Sequence, residues 1–259
     1  MFKLFDSHTH LQSPVFDNDR ERVVGRILTD NIGVINVGAD KESSVKAIEL
    51  AKKYPNNMRA AVGCHPHYIE EFNYDFFKNL AQKPEVVAIG ECGLDYYFRT
   101  EDNESKIKNL QKEVFIKHIK LAKEVDKPLM IHCRDAFQNL IEILQTTKYK
   151  LQTNNVLHFF TGTMEDAKQL LGMGFYFTFN GLITFNRDFD EIIKYIPLDK
   201  ILLETDAPYV APLSCRGKRN ESAHIIETAE KMAEIKGVSL EKTSGQTTKN
   251  AIKIFKFFQ

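Results

Sequence analysis

The sequence predicts a (β/α)8 TIM barrel, an α/β fold forming one domain over residues 1–259, and three observations carry that reading. Eight short apolar runs recur along the chain. Amphipathic segments lie between them, with no Gly/Ser-rich linker or low-complexity tract. The length is one that an undivided α/β barrel commonly reaches. Strands and helices in alternation imply parallel strands joined by right-handed crossovers. The competing open sheet, in its dinucleotide-binding form, requires GxGxxG after the first strand, and none stands there.

The strand candidates are residues 3–5, 33–37, 58–62, 86–89, 129–131, 156–157, 175–179 and 201–203. Most are near-continuous apolar runs, as parallel strands covered on both faces require. Among the helices, 17–30 carries Val23, Val24, Ile27 and Leu28 at helical spacing, and 43–53 sets Val45, Ile48 and Ala51 against polar residues. Segment 103–125 places Leu110, Val114, Ile119 and Leu121 among lysines and glutamates. Segments 135–145, 164–171, 188–195, 222–235 and 239–255 complete the set. Asp135 and Thr163 suit helix N-caps, and Gly33, Gly174 and Gly237 suit helix ends.

Composition narrows the function. A hydrophobic share of 43% supplies a sizeable core, and 35 basic against 35 acidic residues leave no net charge. Global charge therefore gives no support for wrapping a long duplex; a polyanion must be held by a local cluster or by bound metal. No apolar run approaches the ~18 residues of a membrane span, and MFKLFDSHTH lacks a signal peptide's apolar core. A cytoplasmic protein is expected. Cys64, Cys92, Cys133 and Cys215 form no CxxC pair and read as thiols in a reducing compartment.

In a barrel, chemistry belongs at the C-terminal ends of the strands. The first strand runs into Asp6-Ser7-His8-Thr9-His10, where alternation turns Asp6, His8 and His10 to one side. Later strands end in Gly90-Glu91-Cys92, His132-Cys133-Arg134, His158 and Glu204-Thr205-Asp206. His8, His10, Glu91, His132, His158 and Asp206 are all metal-ligand types, and closing the ring brings them to one rim. They exceed the roughly three protein ligands of a single catalytic zinc. Two divalent ions account for the surplus: His8, His10 and Asp206 on one, His132 and His158 on the other, with Glu91 bridging. Such a pair, about 3.5–4 Å apart, suits in-line displacement at phosphorus. Asp6 reads equally well as an orienting partner of a ligand histidine or as a plain strand-end carboxylate.

With these residues in place, the chain resembles the TatD family of metal-dependent deoxyribonucleases, within the amidohydrolase superfamily. The stretches that carry the likeness are DSHTHL, GCHPH, GECGLDYY, IHCRD, the histidine of HFFTG, LLETDAPY and APLSCRGKRNE, in order from residue 6 to residue 221. The resemblance implies a two-metal barrel that hydrolyses DNA phosphodiester bonds, with 3′-to-5′ exonuclease action on single strands favoured. The same six residues match the family's ligands. The resemblance further implies that His65, His67, Arg134, Arg216 and Arg219 contact substrate, Arg serving phosphate through bidentate donation. A structural loop role for His65 and His67, and a solvated turn for Arg216-Gly217-Lys218-Arg219, are the plainer alternatives. Asp95 and Tyr96 read as shaping the loop after the fourth strand. Phe159 and Ser222 depart from the family's usual cysteine and proline, and neither replaces a ligand.

The expected chemistry is attack on phosphorus by water activated between two ions of Zn, Mn, Mg or Fe, with Asp206 and Glu91 as the catalytic carboxylates. Nothing resembles GxSxG, and strand alternation turns Cys92 and Cys133 from the site. DNA is the expected partner, with no membrane and no obligate protein partner. Hydrolysis of a small phosphoester or amide is the rival enzymatic reading. A metal-stabilised binding protein is the remote one.

Overall fold

In the computed structural model, which describes residues 2–97, 104–149 and 154–258, eight parallel strands run in sequence order around a barrel. They are β1 (Leu4–Thr9), β2 (Ile32–Val37), β3 (Met58–Val62), β4 (Val86–Asp95), β5 (Leu129–Arg134), β6 (Val156–Leu157), β7 (Tyr176–Phe179) and β8 (Ile201–Leu203). The helices are α1 (Arg20–Thr29), α2 (Lys41–Lys53), α3 (Tyr74–Ala81), α4 (Glu104–Val125), α5 (Phe137–Thr146), α6 (Met164–Gly172), α7 (Asp190–Tyr195), α8 (Ile225–Lys236) and α9 (Leu240–Ile254). The start proposed at residue 103 for the fourth of these lies outside the described residues.

The strands are buried on both faces because two apolar layers sandwich them. Leu4, Ile32, Val34, Met58, Ala60, Leu129, Ile131, Phe177 and Leu203 face the helices. Phe5, Ile35, Val37, Ala61, Ala88, Met130, Val156, Tyr176 and Leu202 form a separate interior cluster, which Phe2, Ile254, Phe255 and Phe257 close at the N-terminal mouth. Cys92 and Cys133 belong to the outer layer, away from the barrel's interior.

Several local expectations need correction. Helix α3, only eight residues long, has no counterpart in the sequence reading; two turns are too short for a period to emerge. Its signal was the cap: Asn73 accepts the Phe76 N–H at 2.9 Å. Asn31, at φ 54, takes the left-handed turn after α1, whereas Gly33 lies inside β2. Asp135 is left-handed at φ 53, and Ala136 is the N-cap of α5. Thr163 caps α6 in a reciprocal box with Asp166, and Gly237 ends α8 at φ 63. Strand β4 continues through Gly90 by a register shift between Ile89 and Cys92, which brings Glu91 into the sheet.

The ring closes where β1 meets the segment after β8. His10 N–H donates to Ala207 O at 2.7 Å and Asp206 N–H to His8 O at 2.9 Å, while Ser7 Oγ reaches Leu203 O at 2.8 Å. Asp6, fully buried, accepts from the Thr205 N–H and hydroxyl at 2.9 and 2.6 Å. Among the described residues it pairs with backbone and hydroxyl groups and with no histidine ring, so it braces the seam; burial pushes its pKa up to about 7. Ser222, where the family usually has proline, lies 3.4 Å from Thr9 Oγ1 beside the same seam.

Candidate metal centre

Two residues beyond Met130, Val156, Tyr176 and Leu202 stand His132, His158, Thr178 and Glu204. The period of two that fills the lower barrel with apolar side chains thus puts polar ones in the layer above. His8, His10, Glu91 and Asp206 join them from β1, β4 and the seam.

The outer nitrogen of each of four imidazoles is tied to an acceptor. His8 Nδ1 meets Met130 Sδ at 3.0 Å and His10 Nδ1 meets Val37 O at 2.8 Å. His132 Nε2 meets Asp95 Oδ2 at 3.1 Å, and His158 Nδ1 meets Glu204 Oε2 at 2.9 Å. Each acceptor holds the ring's hydrogen outward, so the other nitrogen turns a lone pair inward, the arrangement that metal-binding histidines share. His8 Nε2 and His10 Nε2 face each other at 3.2 Å. A cation shared between two lone pairs so placed, a proton or a metal ion, removes their repulsion.

Glu91 divides its carboxylate between two groups. Its Oε2 lies 3.5 Å from His8 Nε2 and 3.8 Å from His10 Nε2, and Asp206 Oδ1 lies 3.8 and 3.5 Å from the same nitrogens. Bonds of about 2.1 Å to a tetrahedral cation give edges of about 3.4 Å between ligand atoms. These separations therefore fit a divalent ion. Oε1 lies 3.0 Å from His132 Nδ1 and 3.7 Å from His158 Nε2, and forms the second group.

Electrostatics follow from burial and these neighbours. Burial, and then His158, whose ring stacks 3.5 Å away, push His8 down to about 3. Burial opposes the charge of His158 as well, yet Glu204 raises it to about 10. His10 is also raised: burial works against it, and the Asp206 and Glu91 carboxylates outweigh burial. Glu91 is held well below the ordinary carboxylate range, burial being overcome by His65, His132 and His8. Asp206 has φ 55 and Phe159 φ 44, left-handed conformations strained for such residues. Strain of this kind clusters at functional sites.

His65 differs from the four. Its Nδ1 accepts the His67 N–H at 3.1 Å, so in the neutral ring Nε2 carries the hydrogen, 3.6 Å from Glu91 Oε1. Burial holds it neutral, down to about 3. It is placed to donate. His67, half-exposed, meets Asp95 Oδ2 at 3.2 Å.

The cluster floors a cavity of about 980 Å³, which His65, His67 and Arg134 also line. Arg134 stacks 3.7 Å from the Tyr97 ring centre, with no carboxylate pairing it among the described residues. The other two arginines are not brought to this cavity. Arg216 stacks on Phe185 at 4.4 Å. Arg219 pairs with Asp19 at 2.7 Å and Glu221 at 2.9 Å and lies over Phe16. Glu204 goes unassigned in the sequence, Asp95 reads there only as a loop former, and a rim of half- to well-exposed aromatics, Tyr68, Tyr97 and Tyr209, is missed. Counting in twos from Leu202 would have turned Glu204 inward.

The family model described as TatD related DNase matches residues 5–256. An uncharacterized metal-dependent hydrolase of Bacillus subtilis, YabD, is 37% identical over 98% of this chain and 99% of its own. A protein of Erwinia tasmaniensis named 3′-5′ ssDNA/RNA exonuclease TatD is 32% identical over 97% of this chain and 99% of its own. Among solved structures, YjjV, a TatD homologue of Escherichia coli, superposes with a TM-score of 0.87 at 25% identity, covering 98% of both chains. From residue 5 to residue 256, this chain belongs to the TatD related DNase family.

Proposed function

We propose that the protein is a divalent-metal-dependent phosphodiesterase that removes nucleotides from the 3′ end of single-stranded DNA in a reducing cytoplasm. One observation carries this reading: Glu91 turns one oxygen to each of two groups of inward-facing ligand atoms. His8, His10 and Asp206 would hold one ion with Glu91 Oε2, and His132 and His158 the other with Oε1. When bound, the ions supply Lewis acidity and a positive charge that offsets the Glu91 and Asp206 carboxylates.

The chain's own groups do the rest. Asp206, at the cavity floor, accepts the proton of the attacking water. His65 Nε2–H and the Arg134 guanidinium donate to the phosphate oxygens. Tyr68, Tyr97, Tyr209 and Phe159 line the cavity and offer ring faces to unpaired bases, each stack being worth about 1–3 kcal/mol. Asp95 and Glu204 keep His132 and His158 in the tautomer that faces inward.

The rim's own acids, Asp40, Glu42 and Asp135, favour a second reading, a small phosphoester or amide substrate. One assay separates the two. Purified protein is given 3′-labelled single-stranded and duplex oligonucleotides, a nitrophenyl phosphodiester and an amide panel, each with and without chelator. The proposal expects chelator-sensitive release of mononucleotides from the single strand. Amide turnover with an untouched oligonucleotide would overturn it. Among the described residues no helix is long and apolar enough to cross a membrane.

A further inference from the structure

Away from the metal centre, the loop between β8 and α8 carries a second group of reactive side chains that hydrolysis does not use. The Cys215 sulfur lies 3.7 Å from His224 Nε2, and His224 Nδ1 lies 3.1 Å from Asn220 Oδ1. Asn220 is 1% exposed, and its amide has a fixed sense, because Nδ2 donates to the Thr205 and Tyr209 carbonyls, both at 2.8 Å. Its Oδ1 is therefore the acceptor, and it also takes the Glu221 N–H at 2.9 Å. An acceptor at that point requires His224 to carry its hydrogen on Nδ1. The lone pair on Nε2 is then turned to the sulfur. A nucleophile, a base and a third group orienting the base are the parts of an activated thiol.

The other cysteines make poor nucleophiles. Cys64, Cys92 and Cys133 are buried, and burial pushes Cys64 up to about 12 and the other two well above the ordinary thiol value. Of the four, Cys215 alone is partly exposed. The Ser214 hydroxyl lies 3.4 Å from the sulfur and donates its one hydrogen to Glu227 Oε1 at 2.7 Å.

We propose that Cys215 is a modification site for low-molecular-weight disulfides, with His224 as its base and Asn220 as the positioning residue that sets the tautomer. The thiol proton passes to His224 Nε2, and the sulfur attacks one sulfur of the disulfide. The new S–S bond forms as the old one breaks. The departing thiolate leaves with the electron pair and takes the proton from His224. Cys215 is oxidised and the departing sulfur reduced, so the disulfide is the only oxidant. The product carries a small thiol on a loop whose Asn220 also holds the carbonyls on either side of Asp206.

The test treats the intact protein with an aromatic disulfide that releases a coloured thiol. The parent should release one equivalent in a fast phase, which Cys215→Ser removes and His224→Gln slows about tenfold or more. At one fixed pH the parent's fast phase should also outrun the same reagent's reaction with a free small thiol by about tenfold or more. An unchanged fast phase in a His224→Gln protein with parental circular dichroism overturns the proposal. So does a parent rate no faster than that of the free thiol, a measurement that needs no variant at all.

Discussion

The two mouths of the barrel are built from the same strands and serve opposite ends. At the N-terminal mouth Phe2, Phe5, Phe255 and Phe257 close the ring, with ring centres 5.2 to 6.3 Å apart in edge-on and stacked pairs. That mouth is lined by apolar side chains whose burial favours the folded chain. At the other mouth the side chains gather carboxylates and imidazoles, groups that are costly to bury unless they are paired. Stability is concentrated at one end and chemistry at the other, the division of labour expected of this architecture.

Substitutions can break that division. The largest effect is expected from Glu91→Gln, which keeps the side chain's shape but removes the shared charge. Turnover should fall by about a thousandfold or more, with circular dichroism unchanged and metal content reduced on elemental analysis. The mirror experiment is Phe257→Ala. Truncating this fully buried ring should cost about 3–5 kcal/mol in urea unfolding, while kcat per folded molecule stays at the parental level. A loss of activity there without a loss of stability would show that the mouths are coupled.

A third substitution tests the wall between them. His118 on α4 is fully buried, accepts the Cys64 N–H at Nε2 (3.1 Å) and donates from Nδ1 to Val114 O (2.9 Å). Burial lowers it from 6.5 to about 4. The unfolded chain therefore binds this proton first, and the neutral ring's contribution is whole above pH 6.5 and lost as pH falls towards 4. The loss is on the order of 3 kcal/mol. The Tm of His118→Gln should be lower at neutral pH and less sensitive to acid than the parent's across that window; parallel profiles would refute the assignment. The smallest effect is expected from Glu204→Gln, which weakens the hold on His158. Metal affinity should drop about 10- to 100-fold in a competition titration.

The sequence displayed the barrel through its eight apolar runs, and the cluster through ligand-type residues at the strand ends. Period and position are local properties, readable without coordinates. What stayed hidden depends on distance in space. Asp95 looked like a loop former until β4 and β5 were laid side by side and its carboxylate met His132. Nothing in RGKRNE shows that Arg219 meets Asp19, two hundred positions away in the chain. Helix α3 was missed because two turns hold too few residues for a pattern, and β4 was cut short because Gly90 reads as a break when it is a bend within the strand.

The seam has a consequence for how this protein comes into being. His8 and His10 lie at the end of β1 and Asp206 beyond β8, yet the bonds between His8, His10, Asp206 and Ala207 fasten the two edges of the sheet together. A chain halted before β8 holds the two imidazoles and Glu91 but lacks the Asp206 carboxylate that lies 3.8 and 3.5 Å from them. Tight capture of an ion between these ligands would therefore wait on the segment after β8, and a cation there would be a latch that only a finished hoop can receive.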